Sequence, residues 1–315
     1  MTLCALLLDE VALMPQSFYN QATARLSVEG AKVFCNCNPE SPYHWFYTDV
    51  LKNLKEQNGL YVHFTMEDNL TLSEEIKNRY KKMYSGVFAD RYIKGKWVVA
   101  NGLIYDMFKS RHEIEPEDIP YENIVKWCVG VDYGTANATA FLLCGKTADG
   151  TIYVCKEYYF AGRLEAQAQN DFEAQKTDLE YAEDMKQFIS DNYNLTGQVY
   201  RSGPNGMSIV TDPAASSFIL QLRRMRMKVS RANNDVLDGI RTVATHIGDD
   251  RLFISKECVN TLKEIHTYVW DSKAQLAGID RPTKLNDHCM DALRYSVMKL
   301  RDKNKISGAA KNVGI

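Results

Sequence analysis

No apolar run in this 315-residue chain approaches the roughly 20 residues a helix needs to cross a bilayer, so no membrane partner is expected. The N-terminus meets Asp9 and Glu10 at once and has no basic flank, so no secretory leader is expected. Charge of one sign is not in excess. Lys plus Arg number 38 and Asp plus Glu 40, a net charge of −2, which excludes a uniformly basic nucleic-acid binder but leaves room for a local basic groove. The eight cysteines show no disulfide framework, and several, such as Cys128, Cys144 and Cys155, sit in apolar runs as buried reduced thiols would. Cys35 and Cys37 lack a second pair at zinc-ligand spacing and read as alternating strand positions. No internal repeat is visible. What remains is ordinary globular material, 45% apolar and 25% charged, long enough for about two domains.

Two rhythms follow each other along the chain. Residues 4–8, 16–28 and 31–37 read as strand, helix and strand, a βαβ unit that predicts a parallel sheet. Residues 60–65 read as a further strand, and 72–84 as a helix with Glu74 and Glu75 in its first turn. A composition shift through Asn101–Gly102 and the acidic, Pro-containing 113–120 marks a boundary. Three strands then follow at 125–131, 138–144 and 151–160, the last two joined at Asp149–Gly150, and a long polar helix at about 164–192. Alternating strands (208–211, 227–231, 251–255) and helices (214–226, 235–247, 257–270, 287–302) complete the chain. Three meandering strands followed by alternating helices and strands predict an α/β fold of the ribonuclease H-like order.

Three acids stand out. Asp132 and Asp212 each end a predicted buried strand, the sheet edge where side chains converge on a ligand in parallel sheets. Neighbouring carboxylates repel, and a divalent cation removes that conflict. In Leu285–Asn286–Asp287–His288–Cys289–Met290–Asp291, Asn286 is a good N-cap, and Asp287, His288 and Asp291 share one side of the helix that follows. A solvated helix face has the same pattern, and the helix dipole alone accounts for Asp287; it accounts less well for Asp291 and hardly at all for His288.

The runs Val131–Asp132–Tyr133–Gly134–Thr135, Ile209–Val210–Thr211–Asp212–Pro213–Ala214–Ala215 and Asp287–His288–Cys289–Met290–Asp291–Ala292–Leu293–Arg294–Tyr295 resemble, in order and separation, the nuclease motifs of the large terminase subunit of tailed bacteriophages. The resemblance implies a metal-dependent endonuclease that cuts concatemeric double-stranded DNA during packaging. It implies Asp132, Asp212 and Asp291 as ligands of two Mg²⁺ or Mn²⁺ ions, His288 as an auxiliary catalytic residue and Asp287 as a further helper. Leu6–Leu7–Leu8–Asp9–Glu10 is similar to a Walker B strand, and Asn36–Cys37–Asn38–Pro39–Glu40–Ser41 to the coupling motif of terminase motors. The resemblance makes Asp9, Glu10 and Asn38 the remnant of an ATPase site. It implies the portal protein and the small terminase subunit as partners, and a place in the host cytoplasm, transiently at the procapsid portal and outside the mature virion.

A motor also needs the phosphate loop G-x-x-x-x-G-K-[ST], and this chain has none. Gly145–Lys146–Thr147 comes nearest, but Ala140 stands where the first glycine belongs. The expected organisation is therefore residues 1–95 as part of a P-loop-type, parallel-sheet ATPase domain lacking Walker A, 96–121 as hinge, 122–304 as nuclease domain and 305–315 as a disordered tail. ATP is expected as a cofactor only if a missing N-terminal part is supplied. For DNA contacts, the cluster Arg223, Arg224, Arg226, Lys228 and Arg231 suits non-specific phosphate binding, with a solvated basic face as the alternative, and Lys284 precedes the acid-bearing helix. Rival readings are a resolvase- or transposase-like three-acid nuclease and a non-catalytic scaffold of the packaging complex. An actin-like ATPase is disfavoured because its second phosphate loop is missing.

Overall fold

The computed structural model describes residues 2–84, 86–134, 138–161 and 176–301. The expected tail and the first part of the expected long helix lie outside these residues. The chain divides into two units, Met1–Ile104 with Val269–Thr283, and Tyr105–Tyr268 with Lys284–Ile315. The sequence reading kept 122–304 together, whereas the structure returns 269–283 to the first unit. Backbone pairing is the reason: Val269 bridges Leu103, and the Trp270 N–H donates to the Gly102 carbonyl at 3.2 Å.

In the first unit, β1 (Ala5–Leu8) and β2 (Lys32–Cys35) pair in parallel around α1 (Gln16–Thr23), the βαβ unit that the pattern predicts. Helix α2 (Glu74–Met83) starts where expected, with Ser73 Oγ accepting the Ile76 N–H, and α3 (Gly86–Tyr92) follows. Leu8, Val11, Phe46 and Val50 form a small core. Residues 60–65 form no strand. Leu60, Val62 and Phe64 are exposed, and among the described residues no strand pairs with this stretch. Arg91 is buried in this unit, bonding Glu40 at 2.9 Å, Asp280 and the Val98 carbonyl.

The second unit is built on a seven-stranded sheet of order β3-β9-β6-β5-β4-β7-β8. Its strands are β3 (Glu113–Ile114), β4 (Ile124–Asp132), β5 (Thr139–Thr147), β6 (Ile152–Phe160), β7 (Ser208–Thr211), β8 (Lys228–Arg231) and β9 (Leu252–Ser255). β4, β5 and β6 form an antiparallel meander, and every other pairing is parallel. β5 is buried along its whole length, which explains the apolar run Ala140–Cys144 at its centre. The helices of this unit are α4 (Asp178–Asp191), α5 (Tyr193–Thr196), α6 (Ser216–Arg224), α7 (Val236–Gly248), α8 (Val259–Ile265) and α10 (His288–Leu300); α9 (Ser272–Leu276) lies in the segment that returns to the first unit. Tyr181, Met185 and Ile189 of α4 and Phe218 and Leu222 of α6 pack with Val129, Val131, Phe141 and Leu143 of the sheet. Each such large apolar side chain contributes about 1.5–3 kcal/mol by leaving water.

Helix α10 packs on β4 and β5 beside α7. Gly130 permits this. A Cβ there would meet Ser296 Oγ at 2.0 Å and the Ala292 carbonyl oxygen at 2.3 Å. Glycine two residues before Asp132 thus lets the helix carrying Asp291 approach the strand carrying Asp132. Asn286 is not the N-cap of α10. It is left-handed (φ 50°), and Asp287 holds the cap position without a side-chain capping bond.

Candidate active site

The sheet register sets two of the acids side by side. Val131 of β4 is the partner of Thr211 in the parallel strand β7. Asp132, the last residue of β4, and Asp212, the residue just after β7, are each the next one along, so both stand at the same end of adjacent strands. Asp212 Oδ1 accepts the Ala214 N–H at 2.7 Å, the turn that starts the chain towards α6. Its Oδ2 accepts the phenol of Tyr295 at 3.0 Å.

Helix α10 supplies the rest. The His288 Nδ1 lies 2.8 Å from Asp132 Oδ2, a charge-assisted bond in which the imidazole donates. Asp291 is buried, 8% exposed, which removes the solvated-face reading. It accepts Arg294 Nη2 at 2.5 Å and Lys284 Nζ at 2.9 Å. The same ammonium stands 2.9 Å from Asp287 Oδ2. Burial raises the Asp132 pKa, with the charges of Asp291 and Asp287 adding to it and the His288 bond opposing. Burial works against the His288 imidazolium, but the Asp132 bond and the surrounding carboxylates outweigh it and raise its pKa. Lys284 behaves alike: burial is outweighed by Asp291 and Asp287, and its pKa is raised. Tyr295 ties the set together. Burial first, then the charges of Asp291, Asp212 and Asp132, raise its phenol.

Two glutamates that the sequence reading passed over, the half-buried Glu157 and the buried Glu264, hold this arrangement. Glu157 on β6 accepts the Thr261 N–H and Oγ1–H, each at 2.7 Å, and so caps α8. Glu264 on α8 accepts the N–H groups of Cys289 and Met290, at 2.7 and 3.2 Å, and so caps α10 in place of a local residue. Burial pushes the Glu264 carboxyl up to about 8. Little local signal marks Glu264, since it lies beside Lys263 in a helix of mixed polarity. Tyr295 was visible as the residue one turn beyond Asp291.

The donors fit a hard divalent cation in kind, being carboxylate oxygens and one imidazole. Lys284 already brings a positive charge to Asp287 and Asp291. Among the described residues, no group of three His, Cys, Asp or Glu is drawn together tightly enough to hold a metal as the side chains stand. Of the expected DNA contacts, Arg223 and Arg224 end α6, Arg226 sits in a left-handed turn (φ 62°), and Lys228 and Arg231 lie on the edge strand β8, all exposed. In the first unit Glu10 ends up beside Asn38: its N–H donates to Asn36 Oδ1 at 2.8 Å, and Asn38 Nδ2 lies 3.4 Å from its carboxylate. Asp9 is exposed.

Residues 1–99 match the family model described as phage terminase large subunit. The chain is similar to the large terminase of a thermophilic bacteriophage, with 47% identity and a TM-score of 0.83, over 94% of this chain and 68% of that one. The same relative in complex with ADP matches at a TM-score of 0.82 and 47% identity over 94% and 69% of the two chains, and in complex with ATP-gamma-S at 0.82 and 47% over 94% and 70%. Among curated proteins, none matches.

Proposed function

This chain belongs to the phage large terminase family, and from that premise we propose that its second unit is a ribonuclease H-like, metal-dependent endonuclease that cuts concatemeric double-stranded DNA during packaging. The observation that carries the reading is the register that sets Asp132 beside Asp212, with one phenol, Tyr295, feeling both acids and Asp291. The sheet order, a β4–β5–β6 meander continued through β7 and β8, supports the fold assignment.

Two Mg²⁺ or Mn²⁺ ions bound there would supply the charge that stabilises an attacking and a leaving oxygen in phosphodiester hydrolysis. Asp132, Asp212 and Asp291 would hold them, with Asp287 beside Asp291 as a further helper. Asp132 orients the His288 ring, and the imidazole holds a proton at Nδ1 against that carboxylate. Arg294 pairs with Asp291 and fixes its position. Lys284, mostly exposed, leads from the acids to an incoming phosphate, and Arg223, Arg224, Arg226, Lys228 and Arg231 add charge along the DNA. Glu157 and Glu264 act at a distance, fixing the helix that bears Asp291.

In the first unit, Asp9, Glu10 and Asn38 form the nucleotide-facing side of a partial ATPase domain. The nucleotide complexes of the thermophilic-phage relative support this role. Translocation on this reading requires ATP and a phosphate loop supplied by further polypeptide, with double-stranded DNA, the portal protein and the small terminase subunit as partners at the procapsid portal in the host cytoplasm.

Nicking of supercoiled plasmid tests the assignment. Purified protein is expected to cut with Mg²⁺ or Mn²⁺ and little sequence preference, and Asp132→Ala and Asp212→Ala each to lower the rate by about 10³-fold or more. Undiminished cutting by both variants contradicts the site, and metal-independent DNA binding without cutting favours a scaffold.

A further inference from the structure

The three acids are held in different ways. Asp132 faces an imidazole, and Asp291 faces a guanidinium and an ammonium. Among the described residues, Asp212 has no cationic partner. Both of its oxygens are nevertheless engaged, each by a neutral donor. The Ala214 N–H reaches Oδ1 at 2.7 Å, and the Tyr295 phenol, 83 residues along the chain, reaches Oδ2 at 3.0 Å. A cationic partner fixes a carboxylate and offsets its charge. Two neutral donors fix it and leave the charge for a ligand. A carboxylate has about four lone-pair sites, so each oxygen of Asp212 can still accept a metal ion.

The phenol is itself placed. Its oxygen lies 3.2 Å from Asn234 Oδ1. Asn234 stands in the loop between β8 and α7. β8 runs parallel to β7, with Arg231 opposite Thr211, so this loop opens at the same sheet edge as Asp132 and Asp212. A phenol has one hydrogen, and two acceptors cannot both take it. A half-turn of the Asn234 carboxamide exchanges Oδ1 for Nδ2. The three groups then form one chain, amide N–H to phenol oxygen and phenol O–H to carboxylate, in which each bond polarises the next. Tyr295 is 1% exposed on the helix that carries Asp291, whereas Asn234 is exposed. The sequence pattern held no sign of Asn234, whose partner lies 61 residues away.

We propose that Tyr295 and Asn234 form a brace that sets the orientation of the Asp212 carboxylate and makes the site selective for a small, strictly octahedral cation. The proposal rests on the nuclease reading above. Both are positioning residues: Tyr295 acts through Asp212, and Asn234 acts through Tyr295. The selectivity follows from coordination chemistry. Mg²⁺ demands near-ideal octahedral geometry, whereas Ca²⁺ accepts about 6–8 oxygens in a flexible arrangement. A carboxylate left free to rotate therefore costs Mg²⁺ more than Ca²⁺.

The test is thermal stabilisation of the purified chain by Mg²⁺ and, separately, by Ca²⁺, without DNA, read as the metal concentration at half-maximal effect. The wild type is expected to respond to both ions, and Asp212→Asn to lose the response. Tyr295→Phe keeps the ring and removes the hydroxyl. It is expected to raise the Mg²⁺ midpoint about tenfold, as loss of a group that orients a metal ligand does, and the Ca²⁺ midpoint by less than about twofold. Asn234→Ala is expected to raise the Mg²⁺ midpoint about threefold, the effect of one lost hydrogen bond. Because Asn234 is exposed, this variant serves if Tyr295→Phe fails to fold. Unchanged midpoints in the variants overturn the proposal. So does an equal shift for the two cations, which would make Tyr295 a support of the fold and not of the carboxylate's orientation. A wild-type Mg²⁺ response that is lost in Asp212→Asn and unaltered in Tyr295→Phe removes this inference and leaves the nuclease reading standing. No Mg²⁺ response in the wild type removes both.

Discussion

The same sequence signal has two outcomes in the two units. Residues 4–8 and 138–144 both read as strands built on an apolar run. In the second unit β5 is buried from end to end. In the first, only Leu8 of β1 is buried, Leu7 is 73% exposed and Phe34 on the partner strand 54%. An apolar run states that a segment is able to be buried; the neighbouring strands and helices decide whether it is. The polar interiors differ as well. The first unit sets the buried Arg91 between Glu40 and Asp280, whereas the second sets the buried Arg294 against Asp291 and holds the half-buried Asp132 and Asp212 at one imidazole and one phenol.

The largest expected effect separates the units by stability. Arg91→Leu leaves Glu40 and Asp280 without their cation, and breaking a buried pair costs about 3–5 kcal/mol. Hydrogen exchange is expected to accelerate in α2 and α3 while the β4 and β5 amides stay protected; equal acceleration in both would break the comparison. Next, Gly130→Ala sets a methyl group against the α10 backbone and is expected to cost about 1–3 kcal/mol by overpacking. Denaturant melts of the second unit check it, and an unchanged midpoint would show that α10 does not need this close approach.

A third test concerns pH. The folded Glu264 pKa, about 8, lies above its ordinary value of 4.5, so the folded protein holds a proton that the unfolded chain releases between those values. This contribution to stability is complete below pH 4.5 and is lost as pH rises through about 8. Glu264→Gln is expected to flatten that fall in a series of melts; an unaltered slope would mean that Glu264 is ionised in the fold. The smallest effect is at Lys284, whose exposed ammonium competes with a divalent cation for Asp287 and Asp291. Lys284→Met is expected to lower the Mn²⁺ concentration at half-maximal thermal stabilisation by up to about fivefold, the range of an exposed ion pair of about 0.2–1 kcal/mol. A raised midpoint would make Lys284 a support of the site instead.

Legibility follows the same division. Asp132 and Asp212 could be read from the sequence because each ends a buried strand, and Asp291 with His288 because helical spacing sets them on one side. Their adjacency needed the β4–β7 register, which no local pattern encodes. Glu157 and Glu264 were hidden because their partners, the first turns of α8 and α10, are more than twenty residues away in the chain. Asn286 misled for a related reason: its local preference for a cap yielded to a carboxylate supplied from another helix. Residues 60–65 misled because strand propensity cannot supply a pairing partner.

Crystals soaked in Mn²⁺ and measured at a wavelength where manganese scatters anomalously test the central claim directly. The account predicts anomalous peaks bounded by Asp132 and Asp212 from the sheet and Asp291 from α10, with Lys284 turned away. Manganese bound elsewhere, or Asp291 still held by Lys284 and Arg294 with no ion beside it, would contradict it.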